Sequence, residues 1–398
     1  MNGVALAKPI SLGEPPANAQ RRAFVRSIDL WWVTFAATLI PVSLIWDFSW
    51  ESTIGIDRFW SPPHLATHIG VWLCGLLGAR LVLAFTLVRH CGGPTAGVNI
   101  GPLCGPAGAW ILLWGAATMQ VALLLDNWWQ QAYGLGAGIW HPPQLLKTVA
   151  FFTLLFGGLA LCAGVRSGAG IRTRTATALL VWQAGILLTM CAVVLAVKNY
   201  PNWQHTASFY LISCAIYPAV LFAAGRASPL QWGATLVALV YIAVVCAMVW
   251  LLPLFPARPL TAPIHNPTDH MMPPPFPLLL VAPALVVDFL RARFNLSSAA
   301  WRDGWLATVA GIGFVTAFLP LQWFFSKFLL SAAADNWFFA GGGHHWPFFL
   351  TIDQARVLFW GMKQDPLTWL ATLLAIVLAM ISAWIGIRVG TWLSKLRR

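Results

Sequence analysis

Residues 232–252 read W-G-A-T-L-V-A-L-V-Y-I-A-V-V-C-A-M-V-W-L-L, without one charged side chain. Coiled as an α-helix, such a run rises about 30 Å, the thickness of a bilayer's hydrocarbon layer. Comparable runs lie at 28–48, 65–88, 107–125, 144–165, 177–197, 207–225, 276–290, 304–325 and 367–387. The run at 276–290 is the shortest and is flanked by prolines. The expected fold is all-α: a polytopic transmembrane helical bundle of about ten spans, with repeated two-helix hairpins. It occupies residues 28–390, between a disordered cytoplasmic tail at 1–27 and a basic cytoplasmic tail at 391–398. Of the 398 residues 59% are apolar and 9% charged, against roughly a quarter charged in a soluble domain.

The net charge of +12 does not point to nucleic acid, because the bases sit between apolar runs instead of forming a polar basic surface. They sort by side. With a cytoplasmic N-terminus, sixteen bases fall inside and seven outside (Arg58, Lys147, Lys198, Arg258, Lys327, Arg356 and Lys363), leaving Arg80 within the second span. That bias predicts a multi-pass protein of the bacterial inner (cytoplasmic) membrane with both termini cytoplasmic. Arg80 is expected to snorkel or to pair with Asp288. None of the seven cysteines falls in an outer loop, and no C-x-x-C pair occurs. Neither disulfides nor thiol-redox work is expected.

Acids and histidines gather on the expected outer side: eight of twelve acids and eight of nine histidines. Two outer loops share a pattern. Residues 46–64 read W-D-F-S-W-E-S-T-I-G-I-D-R-F-W-S-P-P-H, and 126–144 read D-N-W-W-Q-Q-A-Y-G-L-G-A-G-I-W-H-P-P-Q. Each has an Asp, tryptophans, a mid-loop Gly and Trp-x-Pro-Pro, as a duplicated hairpin would. Ser61 is placed to cap the second span, with Pro62 in its first turn. His64 and His68, at i and i+4, share one helix face. With Asp47 and Glu51 they form a candidate metal site, since imidazoles at that spacing can share one ion. Such ligands suit copper, iron or zinc. Asp126, His141, His270, Asp335, His344 and His345 are secondary candidates. His265, Asp269, Met271 and Met272 stand near His270, and methionine with histidine would suit Cu(I). The equivalents of His64 and His68 in the second loop are Gln144 and Thr148. His68 and His141 would also suit the axial positions of a haem b.

Asp47-x3-Glu51-x12-His64 resembles the Asp-x3-His-x12-His metal motif in the C subunit of particulate methane and ammonia monooxygenases. There the Asp and both His bind a metal near the outer membrane face. The resemblance spans 18 positions, Glu51 replaces the first His, and ten spans exceed that subunit's number. The W-S-P-P-H loop also resembles that of uncharacterised bacterial multi-span proteins. These features together point to an integral membrane metalloprotein with redox, oxygenase-like or metal-handling chemistry. Two alternatives stand beside it: a transporter or channel subunit, and a structural subunit whose aromatic outer loops bind partner subunits of a membrane complex.

Overall fold

The structure is a computed structural model describing residues 25–56, 58–88, 97–134, 141–165, 171–294, 300–341 and 346–396. Most of the expected N-terminal tail, residues 1–24, lies outside that range, as do Asp57, His344 and His345.

Nine described helices are long and apolar enough to cross a membrane. They are α1 (Ser27–Thr53), α2 (Pro62–Val88), α3 (Ala107–Tyr133), α4 (Pro142–Val165), α5 (Ile171–Val194), α6 (Ala207–Ala227), α7 (Gly233–Leu251), α9 (Ala300–Leu329) and α10 (Trp369–Lys395), with the short α8 (Val281–Arg293) between α7 and α9. Large apolar side chains such as Trp72, Leu83, Leu124, Leu239, Phe324 and Leu373 are exposed on the bundle's flank. Lipid is the solvent that makes such a surface stable. The protein is a polytopic α-helical membrane bundle. Among the described residues the only strands are a short hairpin, Val98–Ile100 with Leu103–Gly105. Gly101 opens its turn at φ +58°, a conformation natural to glycine.

Close helix contacts come from small residues. α6 runs beside α10, and a Cβ on Gly386 would stand 2.4 Å from the Ala219 carbonyl oxygen. Gly390, four residues on, meets Ala223 in the same way. This is the G-x-x-x-G contact of membrane helices, where packing substitutes for a hydrophobic drive. One residue after Pro218, the Ala219 N–H donates to Ser382 Oγ at 2.9 Å.

The expected eighth span is not a continuous helix. Met272 N–H donates to Thr53 Oγ1 at the far end of α1, whereas Asp288 sits against the first turn of α7 at the opposite face. The chain therefore crosses between them, without regular secondary structure over 273–279 and then as α8. The 13 residues of α8 rise about 20 Å, less than the bilayer core, so the irregular stretch supplies the rest. Among the described residues this makes ten passages, nine helical and one composite. Residues Val25 and Leu396 end on the same face, with Asp29 paired to Arg80 near the end of α2 and Leu396 beside Gly164 at the end of α4.

The proline run explains how non-helical chain is tolerated there. Pro273, Pro274, Pro275 and Pro277 have no N–H to satisfy. Two of the remaining donors find side chains: Leu278 N–H donates to the Tyr241 hydroxyl and Leu279 N–H to Gln322 Oε1, both at 2.9 Å.

Arg80 pairs with Asp29, not with Asp288. Asp288 is committed elsewhere, accepting the N–H groups of Ala234 and Thr235 at 3.1 and 2.8 Å and the Thr235 hydroxyl at 2.8 Å. A carboxylate at a helix N-terminus opposes the positive end of its dipole. Arg291, one turn on, donates to the carbonyls of Gly225, Ser228, Leu230 and Gln231. α8 thus clamps the α6–α7 turn from both sides.

Candidate functional site

The first candidate lies at the mouth of the α1–α2 hairpin. His64 Nε2 stands 3.2 Å from Asp47 Oδ2, and His64 Nδ1 lies 2.8 Å from the Arg58 carbonyl. A carbonyl only accepts, so Nδ1 must carry a proton. A neutral ring would then turn an Nε2 lone pair toward a carboxylate oxygen. A proton or a cation between those atoms makes the contact favourable. Asp47 Oδ1 and His68 Nε2 are buried and make no hydrogen bond. The rings of His64 and His68 are 6.4 Å apart, and His68 lies on Phe59 at 4.8 Å. Glu51 is exposed.

The structure thus joins Asp47 to His64 and leaves His68 against an aromatic ring. Among the described residues no three His, Cys, Asp or Glu side chains form a group able to hold a metal ion. Ser61 stands at the start of α2: its carbonyl accepts Leu65 N–H at 3.0 Å, and its hydroxyl accepts Arg58 N–H at 2.9 Å and ties the turn before the helix.

The secondary candidates are dispersed. Asp126 pairs with Lys147 at 2.9 Å and accepts from Gln130. His141 lies against Trp129 with its Nδ1 buried and unbonded. His270 Nδ1 meets Asp269 Oδ1 at 2.7 Å, and this bond holds the Asp269 carboxyl below its ordinary range. Met271 and Met272 are buried packing residues. Asp335 is exposed. His344 and His345 lie outside the described residues.

A second site, which no spacing rule in the sequence marked, surrounds the unwound half of the eighth passage. Gln322 of α9 accepts Leu279 N–H through Oε1, and its amide donates to Gln204 Oε1 at 2.7 Å. Gln204 in turn donates to the Asn199 carbonyl at 2.7 Å. Both glutamines are fully buried. The relay runs one way, because each amide offers its oxygen to one neighbour and its NH2 to the next.

Beside it, His205 Nε2 meets Ser326 Oγ at 3.2 Å, while Nδ1 makes no hydrogen bond of good geometry. Burial holds the His205 ring below its usual range, the charge of Lys327 adds to this, and the Pro201 and Trp323 carbonyls oppose it.

A narrow cleft of about 20 Å³ lies in the same region, lined by Tyr200, Phe276, Phe339, Ala340 and Trp360 among others. Two loops zip together beside it. Asn202 donates to the Leu358 and Gly361 carbonyls at 3.0 Å, Tyr200 packs on Phe359, and Thr206 bridges to Pro366. The signal available in the sequence was Gln322 within the apolar run 304–325, since a polar side chain at that depth needs a partner.

Together the fold and these two clusters define a polytopic α-helical membrane protein with one discontinuous passage. No family model matches the chain, and no curated protein or solved structure matches it.

Proposed function

We propose that this protein is a membrane carrier for a small polar solute, which enters by the aromatic cleft and moves along the unwound half of the eighth passage. One observation carries the reading: residues 278 and 279 give their N–H groups to side chains of α7 and α9 instead of to a helix of their own. Irregular backbone at membrane depth is characteristic of transporter binding sites, where it lines the path of the solute. The amides of Gln204 and Gln322 and the Tyr241 hydroxyl, with His205 held below its usual proton affinity, suit an uncharged or weakly charged polar solute and supply no coupling acid. The test is stopped-flow light scattering on proteoliposomes challenged with urea, glycerol, glycine, acetate or phosphate. At least one solute should enter faster than into protein-free vesicles. A thiol reagent on Ala340→Cys in the cleft should slow that entry. Equal entry of all five solutes with and without protein overturns the reading.

A second reading is favoured by the 3.2 Å contact of His64 Nε2 with Asp47 Oδ2, beside an Nδ1 committed to the Arg58 carbonyl. A divalent cation between Nε2 and Oδ2 would resolve it and would make this hairpin the metal site of a metalloprotein, with His68 one turn away as a further ligand. Elemental analysis of purified protein for copper, iron and zinc tests it. Stoichiometric metal lost on His64→Ala supports the reading, and metal-free wild-type protein removes it in favour of an imidazolium–carboxylate pair.

A further inference from the structure

We propose that Lys198, Lys363 and Trp203 form a binding site for an oxyanion of the phosphate type. The site goes beyond the carrier reading, because equilibrium binding defines it whether or not solute crosses the bundle. It is built by the zipped loops. Lys198 Nζ lies 3.4 Å from the centre of the Trp203 ring, and Lys363 Nζ lies 4.9 Å from the same centre. An indole face attracts ammonium groups and holds them in place but cancels neither charge.

The neighbouring acid does not balance the pair. Asp365 is one carboxylate beside two ammonium groups, and its Oδ2 already accepts Ser208 N–H at 2.9 Å. Lys198 makes one long contact, 3.5 Å to Ser208 Oγ, and Lys363 donates once, to the Val357 carbonyl. An ammonium group has three protons to give, so each amine keeps donors for an anion. Burial lowers the affinity of Lys198 for its proton; Asp365 opposes this and Lys363 adds to it. A bound oxyanion would relieve the like-charge repulsion between the lysines.

Position adds a further argument. Lys198 follows the end of α5 and Lys363 lies between α9 and α10. Both therefore stand on the His64 face, where bases are scarce, yet two of that face's seven meet at one tryptophan. Carbonyl or amide ligands would gain nothing from paired ammonium groups, whereas an anion with several oxygens can accept from both. The oxyanion has two sources, free phosphate in solution or the phosphate of an anionic lipid headgroup.

The experiment uses the full chain in phosphatidylcholine nanodiscs. One arm titrates inorganic phosphate by calorimetry. The other adds phosphatidylglycerol to the discs, without free phosphate, and measures retained lipid by native mass spectrometry. Wild-type protein should bind in at least one arm, and the arm identifies the source. Lys198→Gln with Lys363→Gln should weaken binding about tenfold or more, while Lys198→Arg with Lys363→Arg should keep it. If the glutamine pair does not fold, the single Lys363→Gln variant gives the same readout. Binding in neither arm, or equal binding by wild type and glutamine variants, overturns the proposal and leaves the lysines as interfacial anchors.

Discussion

Replacing Gln322 by methionine tests whether the amide relay holds the eighth passage open. The side chain keeps its length, so packing changes little. Two groups, one partly and one fully buried, lose their partners: Leu279 N–H, now 2.9 Å from Gln322 Oε1, and Gln204 Oε1, now 2.7 Å from the Gln322 amide. An unsatisfied buried group costs about 1–3 kcal/mol, so the pair costs about 2–6 kcal/mol. The lower end, about 2 kcal/mol, is the better expectation, because a chain unfolded within lipid also finds partners. Gln183 supplies the control. It is equally buried, but its Oε1 has no partner and its one bond, to Thr34 Oγ1, is long at 3.3 Å. Gln183→Met should therefore cost less than about 1 kcal/mol. Equilibrium unfolding in mixed micelles of dodecyl maltoside and sodium dodecyl sulfate measures both. Equal stability losses in the two variants, or none for Gln322→Met, would refute the idea that this relay secures the unwound segment.

Three further outcomes follow from the packing. Gly386→Leu should separate α6 from α10, because its Cβ would already stand 2.4 Å from the Ala219 carbonyl oxygen. Overpacking of that kind costs about 1–3 kcal/mol, read as a lower unfolding midpoint. Asp288→Asn should cost about 2–3 kcal/mol in the same assay, since an amide cannot accept from Ala234, Thr235 N–H and the Thr235 hydroxyl together. His205 should make stability depend on pH. Its folded proton affinity lies below the ordinary value near 6.5, so below that pH the unfolded chain binds more protons. The contribution is fully present above about pH 6.5 and is lost as the pH falls. Unfolding midpoints measured from pH 7.5 down to 5 should decline less in His205→Gln than in the wild type.

The helices were legible because a bilayer imposes a length that a stretch such as 232–252 must meet whatever its neighbours are. The eighth passage was not, because hydropathy records composition and not continuity. Leu278, Leu279 and Leu280 are as apolar in extended chain as in a helix. The clue was the run Pro273, Pro274, Pro275 and Pro277, which removes both helix and donors. At the first hairpin, spacing correctly brought His64 toward Asp47, since both flank one short loop. It could not foresee that His68 would turn to Phe59, a choice made by the loop's own packing. Gln204 and Gln322 lie 118 positions apart, and neutral amides carry no long-range signature. Charge complementarity told what kind of partner Arg80 needed without telling which: Asp29 begins the neighbouring helix of the same hairpin, so it was nearer than Asp288.

The α1–α2 and α3–α4 hairpins close in comparable ways. In the second, Asp126 near the end of α3 is answered by Lys147, early in α4, at 2.9 Å. In the first, Asp47 near the end of α1 is answered by His64, early in α2, at 3.2 Å. Both hairpins close with a carboxylate facing a nitrogen-bearing side chain on the next helix, so the latch itself is architectural. What differs is the chemistry of the nitrogen: an amine on a flexible stem in the second hairpin, and in the first an imidazole, a side chain that also serves as a metal ligand. His64→Lys is therefore the substitution that tests whether the first hairpin is a plain latch like the second. That variant should keep the wild-type unfolding midpoint at neutral pH. It should lose any response of the first hairpin to added metal, and an unchanged metal response would place the property elsewhere.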